Sequence, residues 1–192
     1  GSGSMRPDNL LHQIKRCKEA TNFPFGVNVP LLYPHSEENL RIIIQEGVKI
    51  VFTSAGNPKS YTNKLKENGI VVVHVISSRK FAIKSQEAGV DAVVAEGFEA
   101  GGHNGREETT TICLIPDVIR SVDLPVIAAG GIATGASMLA AMTLGADGVQ
   151  MGSRFVASEE GSGHPAYKKY VVEAKESATK LALKKVVPVR LM

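Results

Sequence analysis

The sequence has little that would cross-link the chain or anchor it in a membrane. Only two of the 192 residues are cysteines, and Cys17 and Cys113 lie far apart without CxxC or Cys/His ligand spacing. We therefore expect buried free thiols and a cytoplasmic protein. No apolar run approaches the ~20 residues that a membrane span requires, which excludes a transmembrane protein. Low-complexity tracts are absent too, and this excludes disordered, collagen-like and coiled-coil chains.

A strong charge of either sign is also missing. The chain has 22 basic and 19 acidic residues, a net charge of +3, and its basic residues are scattered rather than striped. Nothing in this distribution indicates a nucleic-acid partner. No GxGxxG motif follows an early strand, so a Rossmann dinucleotide site is not expected. No metal site is expected either, because suitable spacing is lacking among His12, His35, His74 and His164.

Along the sequence, short apolar runs alternate with longer amphipathic ones. The opening Gly1 to Ser4 has the composition of a cloning scar or linker, and residues 5–192 are expected to form one domain. The pattern predicts helices over 7–21, 36–47, 60–69, 78–89, 114–122, 134–145 and 164–177. It predicts strands over 23–30, 49–56, 70–77, 125–132 and 147–156, a strand running into a Gly-rich loop over 91–102, and an extended tail over 181–192.

The six strands are continuously apolar, as expected when both faces of a parallel sheet are buried. Strand–helix units with short links imply right-handed crossovers. A flavodoxin-like or Rossmann sheet is possible, and six near-equal units also fit most of a (β/α)8 barrel. A complete barrel takes about 250 residues and opens on a strand, whereas this chain opens on a helix and would lack roughly two units.

Glycines cluster where three of these strands end, which is where α/β folds bind ligands. Gly130 and Gly131 follow one strand, and Gly152 and Ser153 follow the next along the chain. Glycine lets backbone N–H groups approach a phosphate without a Cβ in the way. In barrels the last two strands commonly form such a site. The pair of turns therefore predicts a phosphate site, although a single turn would be weak support.

The third strand end carries a histidine after two glycines, Gly101 and Gly102. His103 would project over a ligand, and histidine gains or loses a proton near neutral pH without a large pKa shift. A loop histidine bonded to its neighbours is the alternative interpretation. The polar run over 106–111 that follows is expected to be a solvated loop.

Three segments together resemble the nitronate monooxygenase family, formerly called 2-nitropropane dioxygenases: AEGFEAGGHNGREETTT (95–111), AAGGIATG (128–135) and GADGVQMGSRF (145–155). Within that family the sequence is closer to the flavin-dependent type II enoyl-acyl-carrier-protein reductases. This branch is favoured by FGVNVPLLYP (25–34), VFTSAGNPK (51–59) and SGHPAYKK (162–169). The resemblance covers nearly the whole chain after residue 4.

The resemblance implies an FMN-binding (β/α)8 TIM barrel, present here as strands three to eight, in a partial barrel or an open parallel sheet. It implies that the FMN phosphate is held by Gly130, Gly131, Gly152 and Ser153. Asn28, Glu96 and the backbone of Gly101 and Gly102 would face the flavin, and His103 would take the active-site histidine position. NAD(P)H would be the electron donor and would visit the flavin.

The chain departs from the family pattern at its ends. No Gly-Gly-Met-type strand precedes Met5 and no helical region follows Met192, so we expect a fragment whose FMN retention and turnover are open. Three functions remain: reduction of an enoyl thioester on acyl carrier protein in fatty acid synthesis, oxidation of alkyl nitronates by O₂, or an inactive or engineered folding fragment. Open sheet edges and exposed apolar surface also predict a homo-oligomer, most simply a dimer.

Overall fold

The computed structural model describes residues 1–3 and 5–191 and shows an α/β fold of helices alternating with parallel strands. The helices are α1 (Pro7–Ala20), α2 (Ser36–Gln45), α3 (Thr62–Glu67), α4 (Arg79–Glu87), α5 (Thr111–Ile119), α6 (Gly135–Thr143), α7 (Ser153–Val156) and α8 (Pro165–Val172). The strands are β1 (Gly26–Pro30), β2 (Ile50–Ser54), β3 (Val71–Ile76), β4 (Ala92–Glu96), β5 (Gly102–His103), β6 (Val126–Ala129), β7 (Gly148–Gln150), β8 (Lys180–Ala182) and β9 (Val189–Leu191).

Two sheets organise these strands. The larger has the order β1-β2-β3-β4-β6-β7, and the smaller, antiparallel one has the order β5-β9-β8. The described chain forms two compact units, Gly1–Val75 with Ile83–Val93, and Ile76–Ala82 with the residues from Val94 onward. Strand β4 is divided between them. The α/β class with six parallel strands of the TIM-barrel type is confirmed.

The first unit is held together by a buried row of side chains across its parallel strands. The register places Val29 of β1 opposite Thr53 of β2, and Thr53 opposite His74 of β3. All three are at most 4% exposed. Thr53 Oγ1 and His74 Nδ1 are 2.6 Å apart, a hydrogen bond whose donor depends on the imidazole tautomer. His74 is therefore a satisfied core histidine, and burial lowers its pKa from 6.5 to about 4.

His74 should make the protein less stable in mild acid. In the unfolded chain the imidazole takes up a proton near pH 6.5, whereas in the folded protein burial delays this to about pH 4. Stability from the neutral ring is thus fully present above pH 6.5 and is lost as the pH falls towards 4. In His74→Gln we expect that part of the pH dependence, on the order of 1–3 kcal/mol, to disappear. Urea unfolding at pH 7.5 and 4.5 measures it, and an unchanged difference between the two pH values would refute the assignment.

The second unit has its own core, formed where α5 and α6 cover β6 and β7. Ile115, Ala128, Ile132, Ala141 and Ala146 are buried together. Small alanines dominate on the strand and on α6, so the helix can approach the sheet closely. This close packing fixes the position of the carboxyl ends of β6 and β7.

One hydrogen-bonding device occurs once in each unit, and we call it the aspartate clasp. Asp91 N–H donates to Val72 O at 2.8 Å, while Val72 N–H donates to the Asp91 carboxylate at 2.8 Å. Asp147 and Val126 exchange the same two bonds, also at 2.8 Å. Each aspartate lies just after the glycine that ends a helix, Gly89 or Gly145, at a positive φ. The clasp thereby fixes where each new strand begins beside the preceding one.

Residues 1–3 belong to the folded first unit, whereas the sequence predicted a linker there. Ser2 is 2% exposed and its N–H donates to Asn28 O at 2.9 Å. Gly3 lies against the Pro30 ring, close enough that an added Cβ would approach it to 3.1 Å. Glycine and serine are used here because the segment packs tightly on β1. Ser4 lies outside the described residues.

Several predicted elements differ from the structure in their bounds. The strand expected over 147–156 ends at Gln150, and 153–156 form the short helix α7, because Gly152 breaks the extended run. Helix α5 begins at Thr111, three residues before the predicted start, and accommodates Pro116 inside it. The extended tail is two short strands, β8 and β9, joined by a turn. In the described part of the chain no helix has the length and apolar character needed to span a membrane.

Candidate functional site

The glycine turns after β6 and β7 lie side by side in the second unit. The two strands are parallel, and Ala129 is paired with Gln150. The chain continues from these residues into Gly130-Gly131 and into Met151-Gly152. Because neighbouring strands are about 4.8 Å apart, both turns open at the same edge of the sheet. The structure therefore brings together the four residues predicted to bind phosphate.

The glycines in these turns differ in what surrounds them. A Cβ on Gly152 would meet nothing within 4 Å, so the backbone there faces open space. Gly131 is exposed, with a φ of +67°, and its Cβ would come 3.2 Å from Glu99 Cβ. Gly130 is needed for packing, since a Cβ would come 2.8 Å from Thr111 Oγ1 and 2.9 Å from Gly97 O. Gly131, Gly152 and Ser153, here called the cradle, thus lie in turns that follow neighbouring strands, and the backbone at Gly152 is open.

Glu96 ends β4, and the following residue ties that strand to β6, since Gly97 N–H donates to Ala129 O at 2.9 Å. Its carboxyl group is largely buried, and desolvation raises its pKa from 4.5 to about 7. A carboxyl group that stays protonated near neutral pH can donate a hydrogen bond to a ligand. The ability to donate a hydrogen bond is the property expected of a residue that faces the flavin ring, as the resemblance implies for Glu96.

Glu96 should destabilise the ligand-free protein as the pH rises. The unfolded side chain ionises near pH 4.5 and the folded one near 7, so the native state binds the extra proton in between. Stability is therefore greatest below pH 4.5 and falls as the pH rises through 7. Glu96→Gln should remove this fall and raise the free energy of unfolding at pH 8 by on the order of 1–3 kcal/mol. Equal unfolding midpoints for both proteins at pH 5 and 8 would contradict the buried position.

His103 lies outside the large sheet, in the two-residue strand β5. Its backbone pairs with Val189 of β9, and that of Gly102 pairs with Arg190. The side chain is exposed. An added Cβ on Gly101 or Gly102 would meet nothing within 4 Å, although Gly102 has a φ of +91°. The loop therefore leaves the backbone of Gly101 and Gly102 and the imidazole exposed, on a different sheet from the glycine turns.

Asn28 lies in β1 of the first unit. Its side-chain N–H₂ donates to Phe52 O at 3.2 Å and to Ser54 Oγ at 3.1 Å. The amide nitrogen is thus used within the sheet, and these bonds fix the orientation of the side chain. The amide oxygen is the atom that Asn28 would offer to a ligand.

Thr111 and Glu99 organise the site, but their contact was not predicted from the sequence. Thr111 was expected to belong to a solvated loop over 106–111. Thr111 is 9% exposed. Its N–H and its hydroxyl each approach the Glu99 carboxylate to 2.9 Å, and Oγ1 also lies 2.9 Å from Gly130 O. Glu99 therefore caps α5 from the loop, while Thr111 anchors the β6 turn. The threonine run before ICLIP is a helix-start signal that could have indicated part of this.

The fold and these strand ends define the class, a parallel α/β protein of the TIM-barrel type with glycine turns at the carboxyl ends of two neighbouring strands. Comparisons with known proteins narrow the class. The family model of nitronate monooxygenase matches residues 1–191. The structure of FabK from Thermotoga maritima is similar with a TM-score of 0.95 and 47% identity, covering 100% of this chain and 61% of that one.

Two curated relatives are also similar. A probable nitronate monooxygenase of Staphylococcus saprophyticus is 32% identical, covering 93% of this chain and 63% of the relative. A 5-hydroxy-7a-methyl-1-oxo-octahydro-1H-indene-4-carboxyl-CoA dehydrogenase of Rhodococcus jostii is 37% identical, covering 83% and 44%. The chain belongs to the nitronate monooxygenase family, which confirms the resemblance seen in its sequence. It spans less than two thirds of the length of these relatives.

Proposed function

We propose that the protein is an FMN-dependent oxidoreductase that uses NAD(P)H to reduce the double bond of an enoyl thioester carried by acyl carrier protein. The observation that carries this proposal is the pair of adjacent glycine turns, together with an accessible histidine in the same unit. The 47% identity to FabK, an enoyl-acyl-carrier-protein reductase, favours this reaction. The Rhodococcus jostii relative is named for a carboxyl-CoA substrate, which is also a thioester, and this favours a thioester substrate here.

The described residues fit the phosphate of FMN. Backbone N–H groups of Gly131, Gly152 and Ser153 would hold it, because the space beside Gly152 is open and the turns adjoin by register. Gly130 would shape the turn rather than line the cradle. When bound, FMN supplies hydride transfer from NAD(P)H to the β-carbon of the substrate.

The residues of the chain would orient the ligands and move a proton. Reduction of the enoyl group needs a proton at the α-carbon in addition to the hydride, and the exposed His103 imidazole is suited to donate it. Glu96, whose pKa of about 7 leaves it partly protonated at neutral pH, would donate a hydrogen bond to the cofactor.

Oxidation of alkyl nitronates by O₂ is the second candidate, because the family model and a 32% identical relative carry that name. The same cradle and the same histidine would serve, with His103 assisting substrate activation. The two reactions differ in their co-substrate, so they can be separated directly.

The test compares two assays on the full-length protein reconstituted with FMN. NAD(P)H oxidation with an enoyl thioester, and slow O₂ uptake with a nitronate, would support the enoyl reductase. Fast O₂ uptake with the nitronate and no enoyl-dependent NAD(P)H oxidation would establish the alternative. Absence of both reactions in a protein that binds FMN stoichiometrically would refute both candidates.

A further inference from the structure

Residues 179–191, here the C-terminal strap, lie against residues 97–108, here the histidine loop, and their part over 184–190 runs antiparallel to the loop. The strap contains β8 and β9, and the loop contains β5. Contacts of several kinds follow one another in order along the two segments. They join Phe98 to Arg190, Gly102 to Arg190, His103 to Val189, Asn104 to Pro188, Arg106 to Val186 and Glu108 to Lys184.

Arg190 makes the most extensive of these contacts. Its Nε donates to Phe98 O at 3.1 Å, and its guanidinium lies 4.8 Å from the centre of the Phe98 ring. Its Nη1 also donates to Thr179 Oγ1 at 3.3 Å. The planar guanidinium can donate in two directions and stack on a ring at once, which a lysine ammonium cannot do. Arg190 therefore joins the base of the loop to both ends of the strap.

Phe98 is the point at which the loop is tied back on itself. Its carbonyl oxygen accepts from Arg190 and also from the Asn104 side chain, whose Nδ2 lies 3.4 Å away and 3.0 Å from Ala100 O. Asn104 N–H in turn donates to Pro188 O at 2.9 Å. His103 thus lies between Gly102, which is paired with Arg190, and Asn104, which is bonded to the strap and to Phe98. These two neighbours fix the backbone that carries the imidazole.

We propose that Arg190 is a positioning residue, which holds the histidine loop against the strap so that the His103 imidazole is fixed for proton transfer. Arg190 lies opposite Gly102 in the register and acts on His103 through the loop backbone. This inference rests on the role given to His103 in the proposed function. Because a displacement of about 1 Å can cost roughly 100-fold in rate, loosening the loop should act on turnover rather than on ligand binding.

The test uses Arg190→Met, which keeps the aliphatic stem but removes every donor, and Arg190→Lys, which keeps the charge. In the FMN-loaded full-length protein we expect kcat to fall roughly 10–100-fold in Arg190→Met, with KM and FMN affinity changed less than about 3-fold. Arg190→Lys should recover part of the loss. Without FMN, amide hydrogen exchange should become faster within residues 97–108 in Arg190→Met and stay unchanged in the core strands.

Arg120→Met is the matched control, because Arg120 is an exposed arginine at the end of α5 whose nearest carboxylate, Asp117, is 3.9 Å away. It should behave like wild type. Wild-type kcat in Arg190→Met, or faster exchange throughout the chain, would overturn the inference. If Arg190→Met does not fold, the test rests on Arg190→Lys. Wild-type kcat and wild-type hydrogen exchange in the loop of Arg190→Lys would then overturn the inference. A fully active His103→Ala protein would instead refute the proton-transfer role of His103, and with it the positioning role of Arg190, whereas the proposed reaction itself is decided by the two assays on the unsubstituted protein.

Discussion

His103→Ala is expected to lower kcat by roughly 10²–10⁴-fold while FMN remains bound, if the imidazole transfers a proton. The structure indicates that the effect of this substitution on kcat can be measured without an effect on FMN binding. His103 is exposed and its strand pairing with Val189 uses the backbone, so we expect alanine to keep that pairing. The cradle around Gly152 lies on a different sheet and should be untouched. Steady-state kinetics with an enoyl thioester and a flavin titration measure the two quantities.

His12→Ala is the matched control for this experiment. His12 is also exposed but lies on α1, in the first unit. It should retain wild-type turnover and wild-type FMN affinity. Wild-type kcat in His103→Ala at full flavin occupancy would reassign His103 to a structural role, and a loss much smaller than 10²-fold would indicate that it only orients the substrate.

Gly152→Val is expected to weaken FMN binding by roughly 10–100-fold. The side chain would enter the open space beside the backbone and block one charge-assisted hydrogen bond, which contributes about 1.5–3 kcal/mol. Because an added Cβ meets nothing within 4 Å, the ligand-free protein should keep its stability. Substitution of Gly131 by a bulky residue should also weaken FMN binding. Because Gly131 has a φ of +67°, that substitution would add backbone strain as well, so Gly152 gives the clearer result.

Gly148→Val provides the comparison on β7. An added Cβ at Gly148 also meets nothing within 4 Å, and the residue begins β7, at the end of the strand opposite to the turn that contains Gly152. Its FMN dissociation constant should stay close to that of wild type. Unchanged affinity in both Gly152→Val and a bulky Gly131 variant would refute the phosphate assignment.

The sequence predicted the large sheet well because its strands are short, continuously apolar and bounded by glycines. Gly89 and Gly145, for example, end helices at positive φ, as their position after an amphipathic run indicated. The boundary of β7 was wrong because Met151 and Phe155 extend the apolar pattern past Gly152, where the backbone turns into α7. Apolar character alone does not report that change of direction.

The site was predictable only where its residues are close in sequence. The two glycine turns and the Gly-Gly-His segment are local patterns, so their positions at strand ends could be inferred. Thr111 contacts Glu99 and Gly130, and Arg190 contacts Phe98 from 92 positions away. Neither set of contacts is indicated by a periodic pattern in the sequence, because these contacts depend on how distant parts of the chain fold together rather than on neighbouring residues.

The two aspartate clasps also bear on the order in which the protein folds during synthesis. Each joins residues only 19 or 21 positions apart, so the loop that it closes is short and costs little chain entropy. Contacts of this kind can form soon after the corresponding strand leaves the ribosome. The contact between Phe98 and Arg190 joins residues 92 positions apart and has to wait until Arg190 has emerged, so the segment carrying His103 becomes ordered after the clasped strands.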